Sequence, residues 1–222
     1  MIDQAELKRW NERFQNDFYW FGTEPSAFLP EQRHRLPASG TALCIADGEG
    51  RNSVWLAEQG LEVTAFDFSP LAVAKAKKLA ADRKVNVDYR QGDINAWDWD
   101  ERQYDVVAAI FFQFVAPAER ARIFAGLNRA LKPGGILLLQ GYNTDQLKYG
   151  TGGPKQIEYL YTERLLRESF PALEFLHLAS HEKEVSEGKG HQGMSALLDL
   201  VARRPAAAAA TTTTTAASAK QP

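Results

Sequence analysis

Residues 42–52, Ala-Leu-Cys-Ile-Ala-Asp-Gly-Glu-Gly-Arg-Asn, set the strongest limit on what this chain folds into. Ala42 to Ala46 is a short apolar run suited to a buried strand. Asp47 to Gly50 is a turn with two glycines, and residues 53–59 read as a two-turn helix stopped by Gly60. Strand, glycine turn and helix in that order bring bare backbone to a helix N-terminus, where a ligand can approach closely. The next run, Glu62 to Asp67, reads as a second strand ending in an acid 17 residues after Gly50. A carboxylate at that strand tip accepts the hydroxyls of a ribose. The layout fits either a dinucleotide or S-adenosylmethionine. A dinucleotide site favours a third small residue, ideally glycine, three positions after the second glycine; Ser53 stands there.

The alternation continues downstream. A helix at 70–82 opens with Ser69-Pro70, proline at the first helical position. Strands follow at about 85–90 and 105–111, a helix at 117–130, and a fifth strand at 135–141 after Pro133-Gly134-Gly135. Repeated βα units predict a parallel, doubly wound sheet. The rhythm then changes. Residues 142–156 carry Gly150, Gly152, Gly153 and Pro154 and read as a loop; Thr162 is placed to cap a helix over 162–169. Two strands, 173–185 and 191–202, joined by Ser186 to Gly190, read as an antiparallel hairpin.

Before the first strand, Leu7, Trp10 and Phe14 recur at helical spacing over 3–15, and residues 17–25 are dense in aromatics. Ser26 is placed to cap a second helix that ends before Pro37. Residues 205–222, with a run of five alanines followed by a run of five threonines, have almost nothing large to bury and read as a disordered tail. The expected division is an N-terminal pair of helices over 1–36, one α/β domain over 37–204 and the tail.

Composition narrows the function classes. With 26 basic against 28 acidic residues there is no basic excess to bind nucleic acid. The lone Cys44 cannot form an internal disulfide, which fits a reducing cytoplasm. No apolar stretch reaches membrane-spanning length, and the charged N-terminus does not read as a signal peptide. His34, His177 and His181 show no metal-ligand spacing, so no metal is expected.

Five motifs then occur in a fixed order: Gly48-Glu-Gly-Arg-Asn52, Val63-Thr-Ala-Phe-Asp-Phe-Ser-Pro70, Gln91-Gly-Asp-Ile94, Tyr104-Asp-Val-Val107 and Leu131-Lys-Pro-Gly-Gly135. Together they resemble class I S-adenosylmethionine-dependent methyltransferases over roughly residues 10–204. Within that class the chain looks closest to the small bacterial tellurite-resistance methyltransferases. The resemblance implies a Rossmann-like, seven-stranded, mostly parallel sheet with an antiparallel final strand. It also implies an N-terminal lid, S-adenosyl-L-methionine as cofactor, and methyl transfer to a small-molecule acceptor, with a thiol or metalloid as the acceptor suggested by the nearest subfamily. Two rival readings use the same residues: a non-catalytic protein that keeps the cofactor as a ligand, and an NAD-linked oxidoreductase. A macromolecule methyltransferase ranks lower, since the chain lacks an added recognition domain.

The cofactor's parts assign its expected partners. Backbone near Ala46, Gly48 and Gly50 suits the methionine end. Asn52 suits the carboxylate or, equally, a helix cap. Asp67 suits the ribose, Phe68 and Ile94 the adenine faces, and Asp93 the adenine amino group. Ile110 and Phe111 would line the far side, and Tyr19 and Phe21 would touch the cofactor from the lid. Against the resemblance, Cys44 stands where an acid is common and Ala46 where a glycine is common. Methyl transfer from a sulfonium needs alignment and exclusion of water more than a fixed catalytic group. Gln113, Tyr142 and His191 are the candidates to meet the acceptor. His191 follows Glu187 across a glycine-rich turn, which suits substrate binding or proton acceptance in the cleft; the plainer reading is a surface histidine in a loop.

Overall fold

The computed structural model describes residues 4–206. One seven-stranded sheet runs in the order β3-β2-β1-β4-β5-β7-β6. Its strands are β1 (Gly40–Ile45), β2 (Leu61–Asp67), β3 (Val87–Gln91), β4 (Tyr104–Ile110), β5 (Leu131–Tyr142), β6 (Glu174–Glu187) and β7 (His191–Arg203). β1 to β5 pair in parallel, and β7 runs antiparallel to both neighbours, β5 and β6. The expected doubly wound sheet with an antiparallel terminal hairpin is what forms.

Side-chain alternation divides the core into two layers. Leu43 and Ile45 of β1, Val107 and Ala109 of β4, and Leu137 and Leu139 of β5 face one layer. That layer is closed by Ile123, Phe124 and Leu127 of α5 (Pro117–Ala130) and by Leu166 of α6 (Glu163–Ser169). Ala42 and Cys44, Val106, Ala108 and Ile110, and Ile136 and Leu138 face the other. There they meet Phe28 and Leu29 of α2 (Phe28–Glu31) and Leu56 of α3 (Arg51–Glu58). α4 (Pro70–Asp82) is capped by Ser69, whose Oγ accepts from the Ala72 amide, and α6 by Thr162, whose Oγ1 accepts from Leu165.

Several boundaries differ from expectation. α3 begins two residues early, because Gly50, at φ +93°, is itself the N-cap. The expected helix after Ser26 shrinks to α2 and a single 3-10 turn, Arg33–Arg35. Ser26 does not cap it; its Oγ donates to Gln140 Oε1 at 2.6 Å instead. β5 starts directly after α5, so the Pro-Gly-Gly segment lies inside the strand, across a register shift against β4. Among the described residues, no helix is long and apolar enough to cross a membrane. The tail predicted to be disordered lies, from residue 207 on, outside the described residues.

Candidate active-site cleft

The sheet order reverses between β1 and β4, and a cleft of about 730 Å³ opens beyond the carboxyl ends of those strands. Ala46, Asp67 and Phe68 form part of its floor; Asp93 and Ile94 come from the loop after β3, and Phe111 from the end of β4. The roof is N-terminal. Arg9, Trp10 and Arg13 of α1 (Gln4–Phe14), with Trp20 and Phe21 after it, all line the cleft. Trp10 packs on Phe14 at 5.6 Å, and Phe21 approaches both, at 6.2 Å and 6.4 Å.

Asp67 is the buried charge of the floor. Its Oδ2 accepts from the Gly48 amide and its Oδ1 from the Ser69 amide, each at 2.9 Å. Burial pushes its carboxyl up to about 6, against the pull of those amides. The Phe68 amide pulls the same way, and the carboxylate still has lone-pair capacity for ribose hydroxyls. Asp47 in the neighbouring turn is pushed up to about 7 by burial while it accepts from the Ser53 hydroxyl and amide. Ser53, unexpected in a dinucleotide turn, thus serves to hold Asp47 and, at 2.9 Å, the Tyr89 hydroxyl.

Two non-glycine residues of the cleft have positive φ, Ala46 at 46° and Phe111 at 55°. For Phe111 the consequence is direction. Ile110 before it faces the α2–α3 layer, and the left-handed turn swings the Phe111 ring into the cleft, 5.0 Å from Tyr142 and 4.2 Å from His191.

The candidates read from the sequence divide accordingly. Phe21, Ala46, Asp67, Phe68, Asp93, Ile94, Phe111, Gln113, Tyr142 and His191 come together around the cleft. Tyr19 does not: its ring packs with Val54 and Leu79, and its hydroxyl donates to the Lys75 carbonyl. Ile110 does not, because strand parity turns it to the far layer. Asn52 is neither cap nor cleft residue; its Oδ1 accepts from the Ser26 amide at 2.9 Å. Gly50 is required by packing rather than by a ligand, since a Cβ there would sit 2.8 Å from Ala76 and 2.9 Å from the Tyr89 hydroxyl. Gly48 commits its amide to Asp67. Gln113 lines the cleft with every polar atom engaged. Its Nε2 donates to the carbonyls of Tyr142 and Tyr159, and its Oε1 accepts from the Tyr142 amide, so it clamps β4 to β5. Cys44 is fully buried on the α2–α3 layer, and burial pushes its thiol well up.

Sequence reasoning missed the ionic supports. Glu49 Oε1 lies 2.5 Å from Lys75 Nζ, and its Oε2 accepts from the Phe21 amide at 3.2 Å. Arg51 donates to Glu187 at 2.7 Å. Both pairs join residues far apart in the chain, and no local spacing announces them. His191 is no surface histidine. It opens β7, is 7% exposed, and sits between the rings of Phe21 and Phe111. Among the described residues no cluster of three His, Cys, Asp or Glu is placed to hold a metal.

Known proteins share this fold. Residues 42–135 match a family model described as a methyltransferase domain. The chain also superposes on the N-methyltransferase NodS of Bradyrhizobium japonicum solved with S-adenosyl-l-homocysteine, with a TM-score of 0.68 at 16% identity, covering 90% of this chain and 98% of that one. The fold is that of the class I methyltransferases. Among sequence relatives, an uncharacterised methyltransferase of Synechocystis is 32% identical over 120 residues, covering 49% of this chain and 53% of its own length. The probable S-adenosyl-L-methionine-dependent methyltransferase TehB of Haemophilus influenzae is 23% identical over 165 residues, 73% of this chain and 56% of its own length. The resemblance drawn from the five motifs therefore stands, TehB included. The chain spans just over half the length of these two relatives.

Proposed function

We propose that the chain is an S-adenosyl-L-methionine-dependent methyltransferase acting on a small molecule. The observation that carries this is Asp67. A carboxylate at the end of β2 faces a cleft at the sheet's switch point and retains lone pairs for a ribose. Ile94 and Phe68, with Asp93 beside them, give an apolar slot with a polar edge suited to adenine. The cofactor, when bound, supplies a methyl group on a sulfonium.

The chain's own residues orient the reactants and exclude water. The segment from α1 through Phe21 is proposed as the lid, supported by the aromatic side chains it lays over the cleft. Lys75 anchors that lid from below, donating to the carbonyls of Asn16 and Phe18 at 2.9 Å and 2.6 Å while it pairs with Glu49. A roofed cleft of about 730 Å³ suits a cofactor with a small acceptor better than a polymer.

Calorimetric titration with S-adenosylhomocysteine, with NAD for comparison, tests the reading. Saturable binding of the first and none of the second is expected, and Asp67→Ala should weaken it at least tenfold. Preference for NAD, or an unchanged affinity in Asp67→Ala, overturns the site assignment. Tight binding with no methyl transfer across a broad acceptor panel would make the chain a cofactor-binding protein instead.

A further inference from the structure

This inference rests on the methyltransferase reading above. His191 stands on the cleft wall with its ring against two aromatics in tilted contact, Phe21 at 4.7 Å and Phe111 at 4.2 Å. Its Nδ1 is sealed from solvent, forms no hydrogen bond, and lies 3.6 Å from Glu187 Oε2. Glu187 closes β6 and is fixed from two sides: Arg51 donates at 2.7 Å and the Ala27 amide at 3.2 Å. The turn between Glu187 and His191 is pinned to the lid, with the Gly190 amide donating to the Trp20 carbonyl at 3.0 Å. A Cβ on Gly190 would fall 2.2 Å from the Phe21 ring. The carboxylate is therefore held at the buried Nδ1 edge of an imidazole that lines the cleft, which leaves Nε2 as the nitrogen for a ligand.

We propose that His191 is the general base of this enzyme, taking a proton through Nε2 from an acceptor that carries it on its nucleophilic atom, with Glu187 as the positioning residue that fixes the required tautomer. An ionised carboxylate only accepts, so it stabilises the ring form with hydrogen on Nδ1 and leaves the Nε2 lone pair free. The 3.6 Å separation is longer than a hydrogen bond, and the proposal requires it to shorten to one in the filled site. In the step, the proton passes from the acceptor heteroatom to Nε2. The heteroatom's lone pair forms the new bond to the methyl carbon, and the C–S electron pair stays on sulfur. The imidazolium so formed faces Glu187, and its proton leaves to water after product release.

The surrounding charges favour this. Burial lowers the His191 pKa, Glu187 opposes that, and Arg51 adds to it, so the ring is neutral at pH 7 and able to accept. Burial pushes Glu187 up, but His191 and Arg51 outweigh it and hold the carboxyl down at about 2. A further titratable neighbour is Tyr142 of β5, whose phenol burial keeps protonated. The acceptor class follows. A thiol, hydroxyl or amine that is protonated at neutral pH needs such a base, whereas a metalloid oxyanion does not.

Histidine-selective ¹⁵N NMR of the full chain bound to S-adenosylhomocysteine reads the tautomer directly, with His191→Gln assigning the signal. A neutral ring protonated on Nδ1 at pH 7 is expected, and Glu187→Gln should shift the population toward the Nε2–H form. An Nε2–H ring, or an imidazolium, in the unmutated protein refutes the proposal. Methyl transfer to two probe thiols gives the second readout. His191→Gln should slow turnover of 2-mercaptoethanol, protonated at pH 7, by about 10²–10⁴-fold. It should slow turnover of the already ionised 4-nitrothiophenol far less than that of 2-mercaptoethanol, on the same reasoning. Equal losses for both thiols overturn the general-base role. Failure of the unmutated protein to bind S-adenosylhomocysteine is a separate result, and it defeats the methyltransferase reading first.

Discussion

Lys75→Met is the perturbation that most directly tests how the cleft is roofed. The Glu49 side chain is 1% exposed and that of Lys75 16%, so the pair is largely shielded from water and salt. Removing the ammonium leaves Glu49 buried with only the Phe21 amide donating to it, and strands the carbonyls of Asn16 and Phe18. Breaking one side of a buried pair costs about 3–5 kcal/mol, and the partial exposure of Lys75 argues for the lower figure, about 3 kcal/mol. The lost contacts all serve residues 16–21, so the loss should appear as local opening of the N-terminal segment. At about 1.4 kcal/mol per tenfold, protection of the Phe21, Gly22 and Gly190 amides from hydrogen exchange should fall roughly 100-fold. Amides of the central strand β4 should keep their protection. The double variant Glu49→Gln with Lys75→Met removes the unpaired charge as well and should recover about 1–2 kcal/mol of the loss. Unchanged exchange at Phe21, or an equal fall at Phe21 and Val107, would refute the claim that this ion pair anchors the N-terminal segment specifically.

Other consequences are as direct. Ala46 sits at φ +46°, where a Cβ costs about 1–2 kcal/mol and glycine costs little. Part of that gain is offset by the looser unfolded chain, so Ala46→Gly should stabilise the protein by about 0.5–1 kcal/mol in urea titration. A destabilised variant would show the methyl packing to outweigh the strain. Asp47 has a carboxyl raised in the fold to about 7, so its contribution to stability is fully present below about pH 4 and is lost as pH rises through 7. Asp47→Asn should flatten the stability–pH curve over that window, as followed by thermal melts; an unaltered slope would mean Asp47 is not the group responsible. Asp67 must be ionised to accept both ribose hydroxyls, so affinity for S-adenosylhomocysteine should rise with pH through about 6 and level off above 7. In Asp67→Asn the affinity should be weak and flat across the same range in calorimetry.

What the sequence revealed and what it concealed follow from the range of the interactions involved. The βα order, Pro70 at the start of α4, the cap at Thr162 and the terminal hairpin are local in sequence, and each is legible from a few neighbouring residues. Parity along a strand is equally local, yet the motif pattern points to both Ile110 and Phe111 as cleft residues. Strict alternation sends Ile110 to the far layer, and only the left-handed backbone at Phe111 returns the next side chain to the cleft. A positive φ at phenylalanine has no signature in the residue type, so that turn had to be seen. The glycine turn misled in the opposite way. Gly48 and Gly50 suggested amides offered to a ligand, whereas one amide serves Asp67 and the other glycine makes room for Ala76 and Tyr89.

The remaining supports are non-local. Arg51 follows the glycine turn and Glu187 ends β6, 136 residues later, yet they meet at 2.7 Å and fix the wall on which His191 stands. The chain's departures from the common motif sort by the same geometry. Cys44 occupies a position where parity buries the side chain on the α2–α3 layer, away from the cleft, so an acid there is replaced by inert packing. The acids of the turn itself, Asp47 and Glu49, are both buried, one held by Ser53 and the other paired with Lys75. A thiol reagent should accordingly label Cys44 only as fast as the protein unfolds. Labelling faster than global unfolding would place that strand face nearer the cleft than the packing shows.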